Sequence, residues 1–285
     1  MGEFFSASRR RVLSLLAAAP LLLSFASTSH ADGLIEQIKQ RGTIVVGTEA
    51  AFEPFEFVRD GQIVGYNKDI LDYVVSQLGV KLDQLNLPFQ GLLPGLLAKK
   101  FDVMATSTGI NAERAAKYAY TRPTGSFENV IVVRADEERI KKPEDINGMV
   151  VATQLASSVQ PIIEAYDKEL KEKGGKGVGE LKLFTSFPET HVALASGQVD
   201  AIVIASPSAA VLMKNVPDTY KVVGSIGEFS YLSWVVRPDD KDLREFINTK
   251  IGEMKDSGKL KELQLKWFGF EMKTPADGYL PAGAL

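Results

Sequence analysis

Beyond Ala31, apolar residues recur in two rhythms that alternate along the chain. Leu34, Ile35 and Ile38 fall at helical spacing and stop at Gly42, which predicts a helix over 33–41. The β-branched run at 43–47 ends at a glycine and reads as a buried strand. Short apolar runs at 55–58 and 62–64 flank Asp60-Gly61, a hairpin signal. Ile70, Val74, Val75 and Leu78 share one face of a helix that stops at Gly79, and strands at 80–87 and 101–105 bracket a short apolar helix at 91–98. The alternation returns as strands at 149–154, 181–185 and 200–204 and helices at 157–173, 188–196 and 207–215. Such order predicts an α/β protein with mostly parallel sheets. The Lys- and Gly-rich stretch 171–179 reads as a surface loop, and no sequence repeat or low-complexity segment is visible. Two further apolar strands, 130–133 before Arg134 and 232–236 before Arg237, have the character of crossings between two lobes.

The N-terminus follows a different logic. Arg9, Arg10 and Arg11 precede an apolar run from Val12 to Ala26 that contains Pro20 and Ser24, followed by small residues ending at Ala31. The run is shorter than the roughly 20 residues needed to span a bilayer. A basic start, an apolar middle and a small-residue exit predict a cleaved secretory signal over 1–31. Its Ser8-Arg9-Arg10-Arg11-Val12-Leu13 is compatible with twin-arginine export as well as with a generic basic start. The sequence contains no cysteine, which excludes a lipid anchor at the mature N-terminus as well as disulfides, thiolate metal sites and a cysteine nucleophile. Only two histidines are present, too few for a multi-histidine metal site. The expected location is the periplasm, with no cofactor. A formal net charge of −3 gives no bulk attraction to nucleic acid.

Six blocks occur in a defined order. They are Thr43-Ile44-Val45-Val46-Gly47-Thr48-Glu49 with Phe52-Glu53-Pro54-Phe55-Glu56-Phe57; Gly65-Tyr66-Asn67-Lys68-Asp69-Ile70; Phe89-Gln90-Gly91-Leu92-Leu93-Pro94; Ile110-Asn111-Ala112-Glu113-Arg114; Gly197-Gln198-Val199-Asp200-Ala201-Ile202; and Lys266-Trp267-Phe268-Gly269. Together the sequence resembles the family 3 extracellular solute-binding proteins that serve ABC importers of polar amino acids. The resemblance implies a two-lobe periplasmic-binding-protein fold: residues 32–130 and 233–285 form lobe 1, and 131–232 form an inserted lobe 2. It further implies a monomer that closes by hinge bending over a small solute and docks on a membrane permease.

The same resemblance assigns site roles. Arg114 is the expected carboxylate anchor, since a guanidinium matches a carboxylate bidentately. Ser107 and nearby amides would add donors, while Gly109 stands where many relatives carry a hydroxyl. Phe52 and Phe89 would sandwich the ligand's side chain. Glu49, beyond the first strand, would meet a ligand cation, and Ser157 or Ser158 would reach in from lobe 2. Ala205 departs from the pattern, because amino-acid binders usually have aspartate there to pair the α-ammonium. Glu49, Glu189 and Glu228 are candidate replacements; otherwise the solute lacks a free α-ammonium, as in opine-like or other carboxylates. Two other functions compete: a prephenate or arogenate dehydratase-like enzyme using Glu49 or Glu189 as general acid, and a receptor serving a chemosensory partner.

Overall fold

The computed structural model describes residues 33–285, so the expected signal segment lies outside the described residues. The first βα units comprise α1 (Leu34–Arg41), β1 (Thr43–Thr48), the small strands β2 (Ala51–Phe52), β3 (Glu56–Arg59) and β4 (Gln62–Val64), α2 (Tyr66–Leu78), β5 (Lys81–Asn86), α3 (Phe89–Leu97) and β6 (Val103–Gly109). A one-turn α4 (Ala112–Ala115) and β7 (Ala119–Tyr120) lead into β8 (Gly125–Arg134). The second series runs β9 (Val150–Gln154), α5 (Gln160–Glu172), β10 (Glu180–Phe184), α6 (Phe187–Ala195), β11 (Ala201–Ala205) and α7 (Ser206–Asn215). The chain returns along β12 (Tyr220–Val236) and finishes with α8 (Lys241–Asp256), α9 (Lys259–Trp267) and an irregular tail.

Among the described residues, nine strands form one sheet in the order β10-β9-β11-β8-β12-β6-β1-β5, with β7 paired to β12. The outer strands are parallel, as expected, but β8 and β12 are antiparallel to each other and to their neighbours. The continuous sheet arises because each crossing strand pairs beyond the short apolar run that marks it in the sequence. β2, β3 and β4 form a separate small sheet, turning at Asp60 and Gly61, both with positive φ.

The two βα series are built alike. β1 lies between β5 and β6; β9 lies between β10 and β11. Asp102 precedes β6 and accepts a hydrogen bond from Val45 N at 2.8 Å; Asp200 precedes β11 and accepts one from Val150 N at 2.8 Å. Thr48 donates to Ala105 O, and Thr153 donates to Val203 O. Arg134 and Arg237, noted in the sequence only as charges ending apolar strands, also correspond. Arg134 donates to Leu194 O and Val199 O at the end of α6, and Arg237 to Leu96 O and Phe101 O at the end of α3. The shared residues are few and widely spaced along the chain, so they leave no visible sequence repeat.

Each aspartate ties the start of a central strand to the loop before its neighbour. Replacing either by alanine leaves a partly buried amide without its acceptor, which costs about 1–3 kcal/mol. Asp102→Ala and Asp200→Ala are therefore expected to lower unfolding free energy by similar amounts, as read from urea melts; a loss at one site only would break the equivalence.

Candidate functional site

The carboxyl ends of β1, β6, β9 and β11 converge, the usual position for a ligand in an open α/β sheet. A cavity of about 20 Å³ lies there. Glu49, Phe52, Phe89, Ser107, Gly109, Ser157 and Ser158 all line it, together with Gln154, Phe187 and Ala205. A space of that size holds about one water, so an amino-acid-sized solute enters only when the walls part.

Arg114 stands beside the cavity with its guanidinium 5.8 Å from the centre of the Phe89 ring. Asn111 caps α4 by accepting from Arg114 N at 2.9 Å, which fixes the base of the side chain. At the tip, Nη2 donates to Ala156 O at 2.6 Å, but Nη1 is buried with no partner from the protein. Burial lowers the Arg114 pKa, yet arginine stays charged throughout the ordinary range. Ser157 Oγ is also buried without a partner. Buried donors left unpaired are costly, and these two lie on facing segments of the cleft. The sequence expects Ser157 and Ser158 to open a helix, but α5 starts at Gln160. Ala156 adopts a positive φ of 59° and Gln160 accepts from its amide, so both serines sit in a tight turn before the helix.

Ser107 rests on a polar cluster whose members had no role assigned in the sequence reading. Its hydroxyl accepts from Asn67 Nδ2 at 2.8 Å, leaving its own proton free to donate. Asn67 Nδ2 also donates to Glu56 at 2.5 Å, while Asn67 Oδ1 accepts from Trp234 Nε1 at 3.2 Å. Glu56, wholly buried, accepts from Ser107 N at 3.1 Å and from the Thr106 hydroxyl. Burial pushes the Glu56 pKa well above the carboxylate range, against the opposing hydrogen bonds from Asn67 and Ser107. Glu56 and Asn67 belong to two of the six sequence blocks, and the available signal was Glu56 between Phe55 and Phe57.

Glu49 is the one carboxylate among the cavity's lining residues. It is 4% exposed and accepts from Gln154 Nε2 on the facing strand end. Burial raises its pKa to about 7, with the Gln154 hydrogen bond acting the other way. The other candidate acids lie elsewhere. Glu189 is exposed and accepts from Thr185 N and Oγ1 at 3.0 and 2.6 Å, and Glu228 lines a separate cavity with Asn111 and Tyr231.

The aromatic arrangement differs from the expected Phe52–Phe89 sandwich. Phe52 stacks between Phe55 and Phe187, with ring centres 4.8 and 5.0 Å away, whereas Phe89 lies beneath Arg114. Phe187, unmarked in the sequence reading, opens α6 as Phe89 opens α3. Their equivalent places in the two series were the missed signal. Gly109 also gains a specific role: a Cβ there would lie 2.3 Å from Ser158 Oγ, 2.8 Å from its Cβ and 2.9 Å from Phe127. Its bare backbone lets the Ser158 turn approach, and that serine supplies a hydroxyl where Gly109 has none.

Residues 44–270 match the model of the bacterial extracellular solute-binding proteins, family 3. This chain belongs to that family. Among its curated relatives, the L-cystine-binding protein TcyJ of Escherichia coli is 29% identical over 92% of this chain and 97% of its own length. A crystal structure of a mutant ArgBP from T. maritima is 35% identical, covers 83% of this chain and 99% of that one, and superposes with a TM-score of 0.73. An ancestral amino-acid-binding protein, described as a precursor of cyclohexadienyl dehydratase, is 30% identical over 82% of this chain and 99% of its own, also with a TM-score of 0.73. The two-lobe architecture of the family 3 binding proteins is thus that of this chain.

Gly109→Ser places side-chain atoms where the Ser158 turn packs. Overpacking of this kind costs about 1–3 kcal/mol. Solute affinity is expected to fall roughly ten- to hundredfold by calorimetry, and an undiminished affinity would show that the turn does not pack this closely when solute is bound.

Proposed function

We propose that this cleft captures an α-amino acid by both of its charged ends and presents the closed form to an ABC permease from the periplasm. The observation that carries the reading is a pair of buried groups without a protein hydrogen-bond partner, Arg114 Nη1 and Ser157 Oγ, the latter next to Ala156, whose carbonyl Arg114 Nη2 reaches. A solute carboxylate satisfies both, and the free Ser107 proton adds a third donor. Glu49 then pairs the α-ammonium in place of an acid at Ala205. The amino-acid-binding relatives and the arginine-bound neighbours support a solute of this class.

Closure follows the crossing strands. The β8–β12 register breaks between Ile226 and Ser230, opposite the stretch Phe127–Asn129. Glu128 N there donates to Ser206 Oγ at 3.1 Å. A bend at this break parts residues 32–130 with 233–285 from 131–232, and with them Arg114 from Ala156, Glu49 from Gln154 and Phe52 from Phe187. The enzyme alternative rests on the same Glu49 and on the ancestral neighbour linked to a dehydratase; consumption of prephenate by purified protein would favour it.

Calorimetric titration after a thermal-shift screen of amino acids tests the reading. Charged hydrogen bonds contribute about 1.5–3 kcal/mol each, so Arg114→Ala is expected to weaken binding at least about a hundredfold. Lysine restores only part, because it loses the planar fork. Full affinity in Arg114→Ala would redirect the search to neutral or cationic solutes.

Glu49 sets a pH dependence. In the closed cleft burial holds its pKa at about 7, and an ammonium binds the ionised form. Affinity should therefore be level above about pH 7 and fall as pH drops below it, approaching about tenfold per pH unit for one coupled proton. Glu49→Gln removes both the slope and much of the affinity. A flat profile in the native protein would point to a solute without a free α-ammonium.

A further inference from the structure

Behind the Phe52–Phe187 pair lies a second, larger cavity of about 170 Å³. Those two rings line both spaces. They are the wall between them, stacked 5.0 Å apart at 25°. One ring belongs to β2 and the other to α6, so parting the lobes parts the rings. Carbon contact distances of about 3.5–4.0 Å on each side mean that a methylene stem fits between faces roughly 7–8 Å apart. A modest widening of the stack therefore opens a passage.

The chamber has room for roughly six water volumes at about 30 Å³ each, the size of a side-chain end and not of a whole amino acid. Its walls are mostly apolar, including Ile204, Val211 and Leu212. One polar atom stands out: His191 Nε2 is buried and has no hydrogen-bond partner from the protein. Burial lowers the His191 pKa to about 4, so the imidazole is neutral at physiological pH. Ser208 is already engaged with Glu53 O at 3.2 Å, and the Glu53 residue is exposed. The remaining polar lining residues, Glu53 and Asn215, are exposed, and a mostly apolar space with an uncharged imidazole favours an uncharged guest over a charged one. It suits an uncharged tip that exchanges one hydrogen bond with His191.

We propose that this cavity is a distal chamber of the binding site, taking the uncharged, hydrogen-bonding end of a long amino-acid side chain threaded between Phe52 and Phe187. The chamber sets side-chain length and charge preference, while the Arg114 end recognises the common carboxylate. It rests on the carboxylate reading given above.

The test is calorimetric titration of the mature protein with L-alanine, L-citrulline and L-arginine. Citrulline and arginine have the same shape, but only arginine carries a charged tip. Citrulline is expected to bind at least tenfold tighter than either of the others. Val211→Phe fills the chamber, and His191→Ala removes the tip's partner; each should lower the citrulline-to-alanine affinity ratio at least tenfold. Should Val211→Phe fail to fold, His191→Ala decides alone. Arg114→Ala is expected to weaken all three solutes together and leave the ratio unchanged, so failure of the carboxylate anchor and failure of the chamber appear in different numbers. Arginine binding as tightly as citrulline, ratios unmoved by either chamber variant, or no binding of any of the three would overturn the proposal.

Discussion

The antiparallel pairing of β8 with β12 is the constraint on which the rest of the structure depends. These strands sit at the centre of the sheet, and every parallel strand lies to one side of them or the other. β8 pairs outward with β11 and β12 pairs outward with β6, so each βα series is hydrogen-bonded to a crossing strand. The register break between Ile226 and Ser230, one of two in their shared ladder, makes that place more pliable than a regular stretch, because bulged residues leave ladder hydrogen bonds unmade. The cleft opens at the strand ends facing that break. Rigid sheet halves joined at one interrupted ladder turn a small local bend into separation of Arg114 from Ala156 and of Phe52 from Phe187. Packed halves with two discrete arrangements are what makes hinge closure a switch and not a gradual deformation.

On the proposed reading, the duplicated frame lets two similar halves read an asymmetric solute. The correspondence that takes Thr48 to Thr153 takes Glu49 to Gln154, and these two meet across the cleft. The one that takes Ala105 to Val203 takes Ser107 to Ala205. At each pair the frame is conserved while the chemistry is not. Glu49 can be negative where Gln154 is a neutral donor, and Ser107 carries a hydroxyl on a buried polar cluster where Ala205 has none. A zwitterion needs this inequality, because identical groups on both sides would recognise the same end twice.

Much of this was legible in the sequence. Periodicity located most strands and helices, since the βα units bury one face each and leave a clear rhythm. The family resemblance drew attention to Glu49, Ser107 and both serines of the Ala156 turn, which line the cavity, and to Arg114 beside it. What could not be read depends on pairing between distant segments. The start of α5 is delayed because Gln160 bonds back to Ala156 N, a local competition that apolar spacing does not reveal. The continuity of the sheet depends on crossing strands that extend into less regular sequence. Phe187 carries no signal in the sequence because its partner, Phe52, lies far away in the chain and meets it only in the folded cleft.

Glu56 illustrates the deeper limit. In sequence it is one of several acids in an apolar block; in the fold it is wholly buried beneath Ser107. An ionised carboxylate there would face Glu49 nearby, and their mutual repulsion adds to the burial that raises its pKa. The cluster resolves the difficulty by surrounding Glu56 with donors from Asn67, Thr106 and Ser107, and by fixing Asn67 in turn through Trp234. Such a network has value only when every member is satisfied. It holds the Ser107 hydroxyl as an acceptor from Asn67, which leaves its proton available to an anion. The polarity at the mouth of the cleft is thus set from beneath, by a buried acid that does not line the cavity.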